Sequence, residues 1–190
     1  MAALAVLVGG LAIGIGTLVL VRSNPGNWVA GESVGAALVF LLAGWLAIAV
    51  GVVMRRRRPD SLFGPLLVAA GFAWFLAAWN NPGAGFSLVF TVGLVLSAVG
   101  LPLVAHAALA YPGGRLASRL ELGALAVTYG GALVLLGLGP ALVFDPAQQG
   151  CSICPDNLLS VVSAPEVVEA LNRAGRWVVL YGAAVLAILA

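Results

Sequence analysis

The chain has 190 residues, 62% hydrophobic and 8% charged, with nine arginines, no lysine and seven acidic residues for a net charge of +2. Soluble domains run near 45–50% apolar and about 25% charged, so a water-soluble core of this size is excluded and lipid is the solvent the composition needs. The weak positive balance gives no basis for a nucleic-acid partner, and one histidine with two cysteines leaves little material for a metal site or a catalytic triad.

A bilayer core about 30 Å thick needs about 20 apolar residues at about 1.5 Å each. Segment 2–21 has that length. It lacks a basic leading region and a small-x-small cleavage site, so it reads as a retained first helix rather than a removed signal. Segments 34–54, 61–79, 86–111 and 122–144 also meet the length. Between them stand Arg22-Ser23-Asn24-Pro25-Gly26-Asn27 and Asn80-Asn81-Pro82-Gly83, where proline fixes φ and glycine supplies φ > 0. Backbone groups in lipid must pair internally, and the period-2 alternation of a barrel is absent, so helices are expected.

The longest connection, 145–176, contains a helix signal of its own. Ser163-Ala164-Pro165-Glu166 fits a capping box with proline in the first turn. Val167, Val168, Leu171 and Ala174 share one face, and Gly175 is placed to end a short helix lying on the membrane surface or across the bundle mouth. The last apolar run, 177–190, has fourteen residues, which rise about 21 Å and fall short of the core. Nothing polar caps it, as in a chain cut within a helix. The expected fold is an all-α integral membrane bundle of five full helices and a truncated sixth, with no soluble catalytic domain.

Orientation follows the arginines. Arg55, Arg56, Arg57 and Arg58 fill the second loop, and Arg115 and Arg119 lie in the fourth, while the odd loops hold only Arg22, Arg173 and Arg176. This bias places the even loops and the N-terminus in the cytoplasm of a multi-pass plasma-membrane protein. Loop 145–176 then faces out, and Trp28 and Trp79 fall near the outer interface.

Few residues could carry chemistry. The Arg55–Arg58 run reads first as a topology lock, and it could also bind anionic lipid headgroups at about 1 kcal/mol per residue. His106 lies within the fourth apolar segment, where an ionisable residue is a functional hypothesis by default. All seven carboxylates fall in loops or at helix ends, which favours a neutral histidine hydrogen-bonded to a neighbouring helix over a proton relay. Cys151 and Cys154 form a C-x-x-C pair without further ligands for zinc, and Pro155 stands where haem attachment would need histidine, so a structural disulfide is favoured. Gly10-x-x-x-Gly14 and Gly93-x-x-x-Ser97 suit close helix approach, although 25 glycines make such matches easy to find by chance. Pro65, Pro102 and Pro140 should kink their helices. No catalytic residue, cofactor site or metal site is indicated.

From Arg55 to Arg119 the chain carries Pro59-Asp60-Ser61-Leu62-Phe63-Gly64-Pro65-Leu66-Leu67, then Ala69-Ala70-Gly71-Phe72-Ala73-Trp74-Phe75, then His106-Ala107-Ala108-Leu109-Ala110-Tyr111-Pro112-Gly113-Gly114-Arg115-Leu116. With Cys151-x-x-Cys154-Pro155-Asp156-Asn157-Leu158-Leu159, this resembles the N-terminal membrane region of actinobacterial sensor histidine kinases paired with LuxR-type response regulators. The resemblance implies a sensory or anchoring region that acts through a downstream kinase core and a response regulator. Further expected partners are the bilayer and a second copy of the chain. The phospho-accepting histidine and ATP-binding domain of that family are not in these 190 residues, and His106, in an apolar segment, is not that acceptor. The competing expectation is a free-standing membrane protein, such as a transporter subunit or assembly factor, although midplane polar residues and internal repeats are lacking.

Overall fold

In the computed structural model the described residues are 2–23, 29–111, 116, 118–148, 150 and 153–189, and every regular element among them is helical. α1 spans Ala2–Ser23, and a short α2 (Val29–Glu32) leads into α3 (Val34–Arg57). The Ser33 hydroxyl caps α3 by accepting from the Ala36 N–H at 3.1 Å. α3 runs past Met54 because arginines are good helix formers and their charge suits the negative end of the helix. α4 (Phe63–Leu76) closes in a 3-10 turn, Ala77–Trp79. The Asn-Pro-Gly turn follows: Asn81 Oδ1 accepts from the Gly83 N–H at 2.7 Å, and Gly85 takes a left-handed φ of 69°.

α5 (Ser87–Leu96) and α6 (Gly100–Leu109) are followed by α7 (Arg119–Gly130). α7 starts earlier than 122 because Ser118 Oγ accepts from the Glu121 N–H at 3.1 Å, half of a capping box. α7 runs through a π-helical stretch, Gly131–Leu138, into α8 (Gly139–Val143), and α9 spans Pro165–Leu189. The Arg22–Asn27 turn beyond Ser23, Trp28 and Arg115 lie outside the described residues.

The expected five full spans and truncated sixth are not what the helices provide. Among the described residues three, Ala2–Ser23, Val34–Arg57 and Arg119–Val143, are long and apolar enough to cross a membrane. A fourth crossing forms if α5 and α6, bent by 45°, count as one broken span. Phe63–Trp79 is a shorter apolar helix. The run from Trp177 does not begin a helix; it is the second half of the 25-residue α9, which passes straight through Gly175. With no left-handed φ at Gly175, the chain is not terminated there, and the connection 145–176 shrinks to 145–164. The charges of Glu166, Glu169, Arg173 and Arg176 in its first half keep α9 out of the strongly apolar class.

Pro102 goes with a bend, the 45° break between α5 and α6, whereas Pro65 and Pro140 stand in the first turns of α4 and α8. Pro65 sits in the first turn of α4, where its missing N–H costs nothing. Pro102 has no N–H for the Ala98 carbonyl and its ring crowds that group, so the break falls one turn earlier, between Leu96 and Gly100. Pro140 acts in the same way on the turn before it, which widens into the π stretch.

Packing follows the logic of a bundle in lipid, where large apolar groups gain little by turning inward and close contact rests on small residues. α1 buries Gly10, Gly14, Thr17 and Val21 while Leu4, Val8, Leu11, Ile15 and Val19 point outward. Gly10 and Gly14 receive Ile48 and Trp45 of α3, and Gly44 receives the Phe75 ring of α4. Gly51 and Gly64 bring the α3 and α4 backbones together, with Ile48 against Gly71 further along, so the two helices run antiparallel. Thr128 against Gly182, Gly131 against Val178, and Gly139 against Leu171 align α7–α8 with α9 in the same antiparallel sense. Val21, Phe40, Leu41, Ile48, Phe75 and Ala78 form a cluster of buried apolar side chains.

Candidate functional site

The connection 145–164 is built onto the bundle by hydrogen bonds. A helix end leaves carbonyls without partners, and here Asn157 supplies them: its Nδ2 donates to Ala141 O at 2.6 Å and Phe144 O at 2.8 Å. Its Oδ1 accepts from the Leu159 N–H at 3.1 Å, so the buried amide is used at both ends. The Val161 N–H donates to Leu142 O at 2.9 Å and the Ala164 N–H to Val143 O at 3.0 Å. The Leu158 N–H donates to the buried Thr91 Oγ1 of α5 at 2.9 Å. Asp145 Oδ1 accepts from the Ala147 and Gln148 N–H groups. Between these strands of chain lies a polar cleft of about 250 Å³ lined by Asp145, Gln148, Asp156, Asn157, Ser160 and Ser163. Both its charged groups are carboxylates. Cys154 is disulfide-bonded, and Cys151 lies outside the described residues.

The connection enters α9 without slack. Pro165 is the first helical residue, and the Ala164 carbonyl accepts from the Val167 and Val168 N–H groups at 3.0 and 3.1 Å. The last turn of α8 and the first turn of α9 are thus coupled through a few residues of hydrogen-bonded chain.

The other sequence-predicted residues lie elsewhere. Arg55, Arg56, Arg57 and Arg58 form the exposed end of α3 and the turn after it, and an Arg55 terminal nitrogen donates to Pro59 O. Arg57 and Arg58 border a recess of about 260 Å³ shared with Ser61, Gly64 and Tyr111, whose ring lies 5.2 Å from that of Phe63. His106 of α6 faces Tyr129 of α7: the Tyr129 hydroxyl is 3.5 Å from His106 Nδ1, and the rings meet edge-on at 6.1 Å. The structure therefore does not gather His106, the arginines and Cys154 into one site.

Compared with protein-family models, curated proteins and solved structures, the chain matches none.

Three groups of polar residues were not singled out from sequence. Indole N–H groups stitch helices together: Trp45 to Gly10 O at 3.0 Å, Trp74 to Phe40 O at 2.9 Å, and Trp79 to Thr17 Oγ1 at 2.9 Å. Trp79, expected from sequence near the outer interface, is a cross-helix donor. Asn81 is fully buried, and its Nδ2 has no partner among the described residues. Asn157 and Thr91 anchor the 145–164 connection, and the Asn-Leu-Leu-Ser turn following Pro155-Asp156 was the available signal. Among the described residues no three His, Cys, Asp or Glu side chains are grouped to hold a metal.

Proposed function

We propose that this chain is the membrane-embedded sensory and anchoring region of a two-component sensor histidine kinase, without catalytic activity of its own. The observation that carries this reading is the direct coupling of the 145–164 connection to α9. Val161 and Ala164 are hydrogen-bonded to the end of α8, and α9 starts at the next residue and packs along α7. A molecule or membrane change that alters the connection acts on α9 without an intervening flexible segment. A helix displaced against its neighbours is one of the recurrent ways a bundle transmits a change of state. The acidic cleft at Asp145 and Asp156 faces the medium in the proposed orientation, with the N-terminus and the Arg55–Arg58 turn in the cytoplasm of a plasma-membrane protein. Phosphoryl transfer needs groups that cradle phosphates, hold Mg²⁺ and position the acceptor, and these would belong to a kinase core joined to this region.

The test uses the native product. An antibody against residues 153–164 isolates the protein from membranes of the source organism, and labelled ATP with Mg²⁺ is added. The expected result is a polypeptide longer than 190 residues that incorporates acid-labile, base-stable phosphate, as phosphohistidine does. A product no longer than 190 residues, or a longer one that takes up no phosphate, overturns the reading and favours a free-standing membrane protein.

A further inference from the structure

An apolar groove of about 570 Å³ runs along the outside of the bundle where α4, the α5–α6 bend, the π stretch and α9 meet. Ala73, Trp74, Leu101, Leu136 and Leu180 line it, and the only charged group on its wall is Arg176. Trp74, Leu101 and Leu180 are 42%, 45% and 56% exposed, so the groove opens sideways.

Arg176 lies midway along α9, yet near the edge of the bundle. Gly93 packs on Trp79 and Asn80, Gly137 on Val95, and Gly175 on Leu135 and Leu136. These contacts place Arg176 within about a turn of the level of Trp79, which marks the edge of the bundle on the side of the outer connection. Its Nε donates to Asn172 O at 3.2 Å, so the side chain reaches back toward that edge. Neighbouring Arg173 is paired with Glu169, whereas no carboxylate among the described residues pairs with Arg176. Its two terminal nitrogens keep their donors, in the fork that matches the oxygens of a phosphate.

A guanidinium at the edge of the bundle, beside a groove open to the side, stands at the level where lipid headgroups carry their phosphates. A groove whose other walls are aliphatic and aromatic accepts a hydrocarbon chain. We infer that this groove binds one anionic phospholipid of the leaflet on the side of the outer connection, with an acyl chain along Ala73, Trp74 and Leu101 and its phosphate on Arg176. The Ala73 and Leu101 positions set the width available to the chain, and Arg176 sets the preference for headgroup charge. A zwitterionic lipid offers the same phosphate with a cation beside it, so the discrimination arises from net charge. The inference is independent of the kinase reading, since it rests only on the groove and its one cation.

The full chain is purified in mild detergent, delipidated, and offered an equimolar mixture of phosphatidylglycerol and phosphatidylcholine. Retained lipid is then read by native mass spectrometry. The wild-type chain should retain phosphatidylglycerol over phosphatidylcholine by about five- to tenfold for the most tightly held lipid. Arg176→Gln should lose most of that preference, Arg176→Lys should keep much of it, and Arg173→Gln should leave it unchanged. Ala73→Leu, which narrows the groove, should lower retention of both lipids. The Arg55–Arg58 turn contributes the same background to every variant, so the comparison isolates position 176. An Arg176→Gln chain with wild-type preference overturns the inference. So does a wild-type chain that shows no preference, or one that appears as a lipid-free dimer, which would make a second copy the occupant.

Discussion

A close approach of backbone to backbone between two helices predicts a marked loss of stability. A Cβ added at Gly51 of α3 would lie 2.7 Å from the Gly64 carbonyl oxygen and 2.8 Å from the Val68 nitrogen. Ordinary contacts begin near 3.4 Å, so about 0.7 Å must be found, and both obstacles are α4 backbone atoms with no rotamer to change. The whole of α4 has to move away from α3, loosening Gly44 against Phe75 and Gly71 against Ile48 along the same seam. Overpacking of this kind costs about 1–3 kcal/mol, against which alanine returns about 0.5–1 kcal/mol of helix propensity. Gly16 of α1 has nothing within 4 Å of the same added atom, so Gly16→Ala keeps only the gain. Equilibrium unfolding of the full chain in mixed micelles with increasing dodecyl sulfate, followed by circular dichroism, should place Gly51→Ala about 1–3 kcal/mol below Gly16→Ala. Because Gly51 and Gly64 meet each other, Gly51→Ala combined with Gly64→Ala should cost less than the sum of the two alone. Equal stability of Gly51→Ala and Gly16→Ala would refute the close-packed seam.

Four further outcomes follow from named contacts. Thr17→Val and Trp79→Phe each remove the 2.9 Å bond between α1 and the end of α4, and a double-mutant cycle should give a coupling of about 0.6–1.5 kcal/mol; zero coupling would mean the pair does not interact. Asn157→Ala strips the Ala141 and Phe144 carbonyls of their donor, so it should lower stability by about 1–3 kcal/mol and expose residues 153–162 to proteolysis, a change that an intact protection pattern would contradict. Tyr129→Phe and His106→Gln lose a single long hydrogen bond, so each should shift stability by less than about 1 kcal/mol, and complete loss of folding or signalling in either would show that His106 does more than pack. In a cysteine-free background, a membrane-impermeant thiol reagent should label Val161→Cys, at an 81% exposed position, but not Arg57→Cys in intact cells; the reverse pattern would invert the proposed orientation.

Much of the helical order was legible because lipid-facing surfaces and turn residues leave strong marks. The apolar length of α1 and α3, the Arg55–Arg58 end of α3 and the Asn-Pro-Gly turn after Trp79 are readable directly. What failed was local and cooperative. The sequence shows Pro102 but not that its effect falls one turn upstream, at Ser97–Val99, where the freed Ala98 carbonyl lies. Gly175 has the composition of a helix stop, yet its lack of a side chain serves contact with Leu135 and Leu136, and α9 continues. The π stretch lies just before Pro140 and packs through Gly131 and Gly137, contacts that no period of hydropathy records. Cys154 and the arginines stand out by residue type, whereas Asn157 and Thr91 at the 145–164 connection, and Tyr129 beside His106, matter through partners far along the chain.

The uneven make-up of α9 also bears on how the protein is made. Its second half is apolar, but Glu166, Glu169, Arg173 and Arg176 burden the first half, and each charge raises the cost of transfer from the insertion machinery into lipid as it nears the bilayer centre. α7, π stretch and α8 are together apolar enough to insert alone. α9 finds its place by docking along them, Val178 on Gly131 and Gly182 on Thr128, with its charged turns kept at the edge by the 145–164 connection. We expect this part of the chain to insert as a two-helix unit rather than in two successive steps. Substitutions on α7 should register first as misplacement of α9 in newly made protein, before any loss of stability in the finished bundle.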